Sequence, residues 1–261
     1  MQSVDFTQQM KISIITVVYN GIDLLPGTMQ SVFAQSYQNI EYLIIDGNST
    51  DGTQELIKQN ESKITKWISE PDQGLYDAMN KGIKLATGDF LWFMNAGDRI
   101  FAADTVEKMV ANYTPETDVL YGEVILVNEK RKHLGTRSEV TTQKLPKNLN
   151  WKSLKYGMCV CHQAFLPKRE IAPLYALDNL SADIEWVICC LKKARKTTAT
   201  NLILAEYLAG GLSKKRHKEG LQGRFSILQK YYGFLPNIIN HFIIAIRAFF
   251  HKIQRLGKTH Y

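Results

Sequence analysis

The chain has little cysteine, little proline and no long uninterrupted apolar run. Four cysteines in 261 residues are too few for a disulfide framework. Neither Cys159-x-Cys161 nor Cys189–Cys190 has the paired CxxC spacing of a zinc site; the second pair reads as the core of an apolar helix, Ile184–Ala194. Residues 1–10 carry Asp5 and several glutamines with no apolar stretch, so no secretory signal is expected and the reading is a cytoplasmic chain with reduced thiols. Two phosphate-binding motifs are missing as well. No GxGxxG follows the first predicted strand, and no GxxxxGK[ST] occurs anywhere, which removes the dinucleotide fingerprint and the P-loop.

What is present is a globular composition with an uneven charge. Hydrophobic residues make up 45% and charged residues 22%, enough to bury a core and too ordered for a low-complexity chain. The net charge is +7, yet residues 1–212 sum to −2 and residues 213–261 to +9. A basic tail of this kind seeks phosphate or remains a solvated surface.

The hydrophobic pattern alternates strand and helix. Lys11–Tyr19, Glu41–Asp46, Thr65–Ser69 and Phe90–Met94 read as buried parallel strands. Ile22–Ala34, a segment capped by Thr50 and running to Asn60, Leu75–Ala86 and Asp104–Asn112 read as helices between them. Val119–Val127 and Lys132–Thr136 predict a hairpin, and Thr141–Asn150, polar with Pro146, reads as a weak joint. The expected fold class is therefore α/β, with a mixed, mainly parallel sheet flanked by helices.

In an open sheet of this kind ligands bind beyond the carboxyl ends of the strands. Those ends are Tyr19–Asn20–Gly21, Asp46–Gly47–Asn48–Ser49 and Asn95–Ala96–Gly97–Asp98. Carboxylates there, without the two phosphate motifs, suggest a hard divalent cation, Mg²⁺ or Mn²⁺, which takes oxygen ligands and bridges a diphosphate.

The segments IITVVYNG, IIDGNSTDGT and DQGLYDAMNKGIKLATGDFLWFMNAGD, in that order and spacing, resemble the inverting glycosyltransferase family 2 with its GT-A fold, and most of all its bacterial branch for surface polysaccharides such as O-antigen, capsule and exopolysaccharide. The likeness is close over residues 11–98 and looser from Tyr156 to Ser213. It implies a catalytic domain over 1–212, with a nucleotide-sugar-binding half (11–122) and an acceptor-binding half (123–212), followed by a basic amphipathic tail (213–261).

By that resemblance Val17, Tyr19 and Asn20 flank the nucleobase, and Asp46 faces base and ribose, where relatives add a second acid and this chain has Gly47. Asp77 and Asn80 line the donor pocket. Asn95, Ala96 and Gly97 approach the donor, and Asp98 holds the metal. Asp183, at the start of a helix, is the implied catalytic base, which takes the acceptor's proton as that hydroxyl attacks; the plain alternative is an acid favoured by the helix dipole. Glu185 is the fallback, about 200° around the helix from Asp183. His162 either lines the sugar or diphosphate site or is a buried, satisfied histidine. Gly210–Ser213 resembles a loop that closes over the diphosphate, and Lys214–Arg216 after it either touch the donor phosphates or belong to the basic tail.

The implied donor is a nucleotide sugar, UDP-linked by family habit. The implied acceptor is a saccharide carried on a polyprenyl diphosphate. Tyr231–Ile246 holds no charged residue, but Pro236, Asn237, Asn240 and His241 interrupt it, so the expectation is an interfacial amphipathic helix at the inner membrane face rather than a span. The alternatives are a helix packed on the body, a nucleotidyltransferase of similar build, a catalytically degenerate donor-binding protein, and a nucleic-acid-binding module, for which no aromatic-basic motif is seen.

Overall fold

The computed structural model describes residues 10–210 and 217–256. Its first sheet has strand order β3-β2-β1-β4, formed by β1 (Ile12–Val18), β2 (Ile40–Asp46), β3 (Lys66–Ser69) and β4 (Phe90–Phe93). All three pairings are parallel, so the four carboxyl ends lie on one edge. Every residue of β1 is buried, as expected of a strand covered on both faces. Ile14 joins one hydrophobic cluster and Ile15 the other, which is the period-two alternation of a strand with a core on each side.

Helices α1 (Leu25–Phe33), α2 (Thr53–Gln59) and α3 (Leu75–Leu85) connect these strands. Helix α1 begins three residues later than the apolar spacing predicts, because Pro26 fits the first turn. Thr50 does not cap α2. Gly52 occupies that position with φ +95°, and Asp51 accepts from the Thr53 amide and hydroxyl instead. Helix α3 lies close on the sheet: a Cβ on Gly82 would stand 2.5 Å from Ile15 Cγ2.

The second sheet runs β5-β9-β6-β7, with β8 on β6. Its strands are β5 (Arg99–Ile100), β6 (Val119–Val127), β7 (His133–Thr136), β8 (Phe165–Pro167) and β9 (Thr197–Leu208). The predicted β6–β7 hairpin is antiparallel, and the long β6–β9 pair is parallel. A bridge between Phe90 and Lys168 links the two sheets. Helices α4 (Thr105–Val110), α5 (Arg137–Val140) and α6 (Ala182–Lys193) complete this region. The stretch predicted as a weak joint is fastened: Leu149 is buried, and the Tyr121 hydroxyl contacts the carbonyls of Pro146 and Lys147 at 3.0 and 2.6 Å. It is the backbone of this stretch, not its polar side chains, that bonds to Tyr121.

Helices α7 (His217–Tyr232) and α8 (Phe234–Leu256) form the tail. Helix α7 buries Ile227 and Leu228 in the core, whereas α8 has the reverse orientation of a soluble helix: Asn237 and Asn240 are buried, while Leu235, Ile239, Phe242, Phe249 and Phe250 are exposed.

Candidate active site

Three strand ends meet around β1. Asp46, at the end of β2, is fully buried. It accepts the Ser49 amide at 3.0 Å, the Ser49 hydroxyl at 2.5 Å and the Ser69 hydroxyl at 2.6 Å. Its carboxylate therefore holds the β2–α2 loop, and the resemblance-based role facing base and ribose does not fit this geometry. Asn20 adopts φ +47°, and its Oδ1 accepts the Thr50 amide at 2.9 Å, so it too shapes the loop. The Val17 side chain is core. Tyr19 is 67% exposed and remains available to a ligand.

A carboxylate does reach this place, from another element. A Cβ on Gly47 would lie 2.5 Å from Asp72 Oδ2 and 3.3 Å from the Tyr19 ring. Asp72 Oδ1 accepts the Gly74 amide. The absent acid at position 47 is thus the space that Asp72 fills. Asp72 stands within the quoted DQGLYDAMN segment, but only the fold brings it over Gly47. Asp77, at the start of α3, accepts the Gln73 amide at 3.1 Å and pairs loosely with Lys81.

The end of β4 is the most constrained part. Gly97 has φ +104°, its amide donates to Thr28 Oγ1, and its carbonyl accepts from Arg131 Nη2 at 2.7 Å. Ala96 is half-buried against the core. Asp98 is buried; it accepts Gln163 Nε2 and the Leu208 amide, both at 2.9 Å. Burial pushes its carboxyl up to about 7, against those hydrogen bonds and the Arg131 charge. Gln163, Leu208 and Arg131 all come from the second sheet region.

Asp183 stands in the first turn of α6. Burial raises its pKa above the ordinary carboxylate value. The Tyr76 hydroxyl lies 3.4 Å from its Oδ1 and donates to the Leu180 carbonyl at 2.9 Å. Tyr76 stacks on Tyr175 with centroids 5.3 Å apart. Tyr207 lies in β9, next to Leu208, whose amide donates to Asp98. Burial raises its phenol. Tyr207 carries no sequence signal; only the fold brings it here.

Three other predicted ligands have structural duties. Asn80 gives its whole amide to the Tyr175 backbone, with Nδ2 to the carbonyl at 3.0 Å and Oδ1 from the amide at 2.7 Å. His162 is buried against Phe93, Tyr175 and Trp186. Its Nε2 lies 2.5 Å from the Tyr175 hydroxyl, and burial lowers its pKa to about 4, so the ring is neutral and its satisfied, buried alternative is the one observed. Glu185 turns away, to Lys230 at 2.7 Å and the Tyr231 hydroxyl at 2.9 Å. The proposed Gly210–Ser213 loop and Lys214–Arg216 lie, apart from Gly210, outside the described residues.

A divalent cation fits the end of β4. Asn95 Oδ1 is buried with no hydrogen-bond partner, and Asp98 holds a desolvated carboxylate. Both are hard oxygen donors. No group of three or more His, Cys, Asp or Glu residues suited to a metal occurs among the described residues, so the chain itself would supply few of the ligands.

The model of glycosyl transferase family 2 matches residues 13–172. The chain belongs to that family. An uncharacterized glycosyltransferase of Mycobacterium tuberculosis is 32% identical over 251 residues, covering 92% of each chain. A PGL/p-HBAD biosynthesis glycosyltransferase of Mycobacterium bovis is 30% identical over 213 residues, covering 77% of this chain and 78% of that protein. Among solved structures, Staphylococcus aureus TarS 1–349 in complex with UDP-GlcNAc superimposes with TM-score 0.68 at 16% identity, covering 92% of this chain and 72% of that one. The mannosyltransferase PcManGT of Pyrobaculum calidifontis, with GDP-Man and Mn²⁺, gives 0.62 at 16% identity, covering 91% and 74%. The family 2 chain is a glycosyltransferase with a GT-A fold.

Proposed function

We propose that the protein transfers a sugar, with inversion, from a nucleoside-diphosphate sugar to a saccharide acceptor in surface-polysaccharide biosynthesis. The observation that carries this reading is the end of β4 in a chain of this family: Asn95 Oδ1 is buried without a partner, and the Asp98 amide donates to the Asn95 carbonyl at 2.9 Å, with the Asp98 carboxylate buried. UDP is the preferred nucleotide, in keeping with the UDP-GlcNAc bound by TarS. The acceptor reading is a glycan on a polyprenyl diphosphate, presented at the inner face of the cytoplasmic membrane.

In this reading Tyr19 and Asp72 flank the nucleobase, and Asn95 and Asp98 hold Mg²⁺ or Mn²⁺. When bound, the cation supplies charge stabilisation to the departing diphosphate. Asp183 takes the proton from the acceptor hydroxyl as its oxygen bonds to the anomeric carbon and the bond to the diphosphate breaks. A raised pKa suits that duty, because it brings the base nearer to neutral pH. Tyr76 and Tyr175 hold Asp183 in place, and Gln163 and the Leu208 amide orient Asp98.

The test is thermal stabilisation against nucleoside diphosphates and nucleotide sugars, each with Mn²⁺ and with EDTA. Binding to the native state raises Tm by mass action. A metal-dependent rise with uridine nucleotides, lost in Asp98→Ala, is expected. A flat response to every nucleotide would reject the donor reading, and a rise without turnover would favour the catalytically degenerate donor-binding protein.

A further inference from the structure

Helix α8 has its polar side sealed and its apolar side open. Asn237 Nδ2 donates to the Phe225 carbonyl at 3.1 Å. His241 packs on the Phe225 ring at 4.9 Å. The Arg247 guanidinium lies 4.5 Å above Tyr156. These contacts hold about three turns of the helix along α7 and the segment ending at Tyr156. On the opposite side Leu235, Ile239, Phe242 and Phe249 are 70, 60, 68 and 62% exposed, with Ile246, Phe250 and Ile253 continuing the stripe. A soluble helix does the reverse, and a contiguous apolar stripe of this size marks an interaction surface.

The 3₁₀ segment Trp151–Tyr156 runs beside this helix. Trp151 stacks on Tyr232, which precedes α8, with centroids 5.7 Å apart, while Tyr156 meets Arg247 midway along α8. Lysines border the same strip. Lys152 and Lys192 stand over Trp151 at 5.7 and 5.6 Å, Lys192 also lies over Tyr231 at 5.5 Å, and Lys155 lies over Tyr156 at 5.0 Å. Lys152, Lys155 and Lys192 are exposed and form no ion pair with a carboxylate among the described residues.

We infer that this face docks on an anionic bilayer with α8 lying in the membrane plane, its apolar stripe in the acyl boundary and the Trp151–Lys152–Lys155–Lys192 border at the lipid phosphates. The occupant follows from charge and chemistry together. Amphipathic aromatic rings with one wet edge suit the headgroup level. Lysines with apolar stems reach phosphate from there, and each basic residue near an anionic surface adds to the attraction. Residues Phe234–Ile253 are long and apolar enough to span a membrane by length alone, but a spanning helix would abandon Phe225 and Tyr156 and carry Asn237, Asn240 and His241 into hydrocarbon. This deepens the membrane-face part of the proposed function and places a lipid-contacting border on the catalytic body, outside the tail.

Flotation of the full chain with vesicles of pure phosphatidylcholine and with vesicles containing about a third phosphatidylglycerol tests this. Binding is expected to be at least tenfold stronger to the anionic vesicles and to weaken with salt. Phe242→Ser/Phe249→Ser should lose it on both vesicles, and Lys152→Glu/Lys192→Glu should lose the anionic preference. Both pairs are exposed, so each variant should keep the wild-type Tm and its nucleotide-dependent rise, which separates failure here from failure of the donor reading. Tryptophan placed at Ile239 and at Phe249 should report equal, shallow depth against brominated lipids. Wild-type flotation by the serine variant, unequal depths, or a dimer whose formation replaces vesicle binding would each overturn the proposal.

Discussion

The side-chain amide of Asn80 is hydrogen-bonded to both backbone polar groups of Tyr175. The bond joins α3, in the first half, to the loop that leads into α6 and Asp183. Replacing Asn80 with alanine leaves a buried N–H and C=O without partners, at a cost of about 1–3 kcal/mol. Urea denaturation of Asn80→Ala should show that loss. Because Tyr175 supports Tyr76 beneath Asp183, turnover should fall further than donor affinity; equal losses in kcat and donor Kd would contradict this arrangement.

Asp183→Asn should lower kcat/KM by about 10²–10⁴-fold, the usual worth of a general base, with donor affinity changed little. In the wild type, activity should rise with pH along a limb whose midpoint lies above the ordinary aspartate value of 3.8, since burial raises this group. The residual activity of Asp183→Asn should lack that limb. An unchanged profile would move the base elsewhere.

Gly47→Ala isolates Asp72. Gly47 has no positive φ, so the added methyl acts by contact alone, 2.5 Å from Asp72 Oδ2. Asp72 must yield, and donor Kd should rise about tenfold, equivalent to about 1.4 kcal/mol. Isothermal titration with nucleoside diphosphate checks this; wild-type affinity in the variant would remove Asp72 from the donor site.

His162 makes stability depend on pH. Its folded pKa of about 4 lies below the reference value of 6.5, so between these values the unfolded chain binds the extra proton. Stability then falls as pH drops from about 6.5 to about 4, by up to about 3 kcal/mol at 1.36 kcal/mol per unit. Chemical denaturation across that window should show a shallower decline for His162→Gln than for the wild type.

The strands were legible because each is a short apolar run ending in polar residues and glycine, and parallel order follows from helices between them. The burial of Asp46 was not legible: a carboxylate at a strand end looks the same whether it awaits a ligand or holds Ser49 and Ser69. Asn80 was misread for a similar reason, since its partner lies 95 positions away. Gln163 and Leu208 belong to the second sheet region, where no motif marks them as partners of Asp98 and only the fold brings them to it. That the C-terminal helix is amphipathic was legible in its composition, but composition says nothing about which face meets the rest of the chain.

That last feature bears on how the chain is assembled. Among the described residues neither hydrophobic cluster includes a buried residue beyond Leu228, and the buried side chains described in α8 are the amides Asn237 and Asn240. The helix is attached to the enzyme by hydrogen bonds and ring edges rather than by shared core. It is a separable address label: a chain ending at Gly233 should melt close to the full-length Tm, with its donor site intact and its capacity to gather at a surface gone.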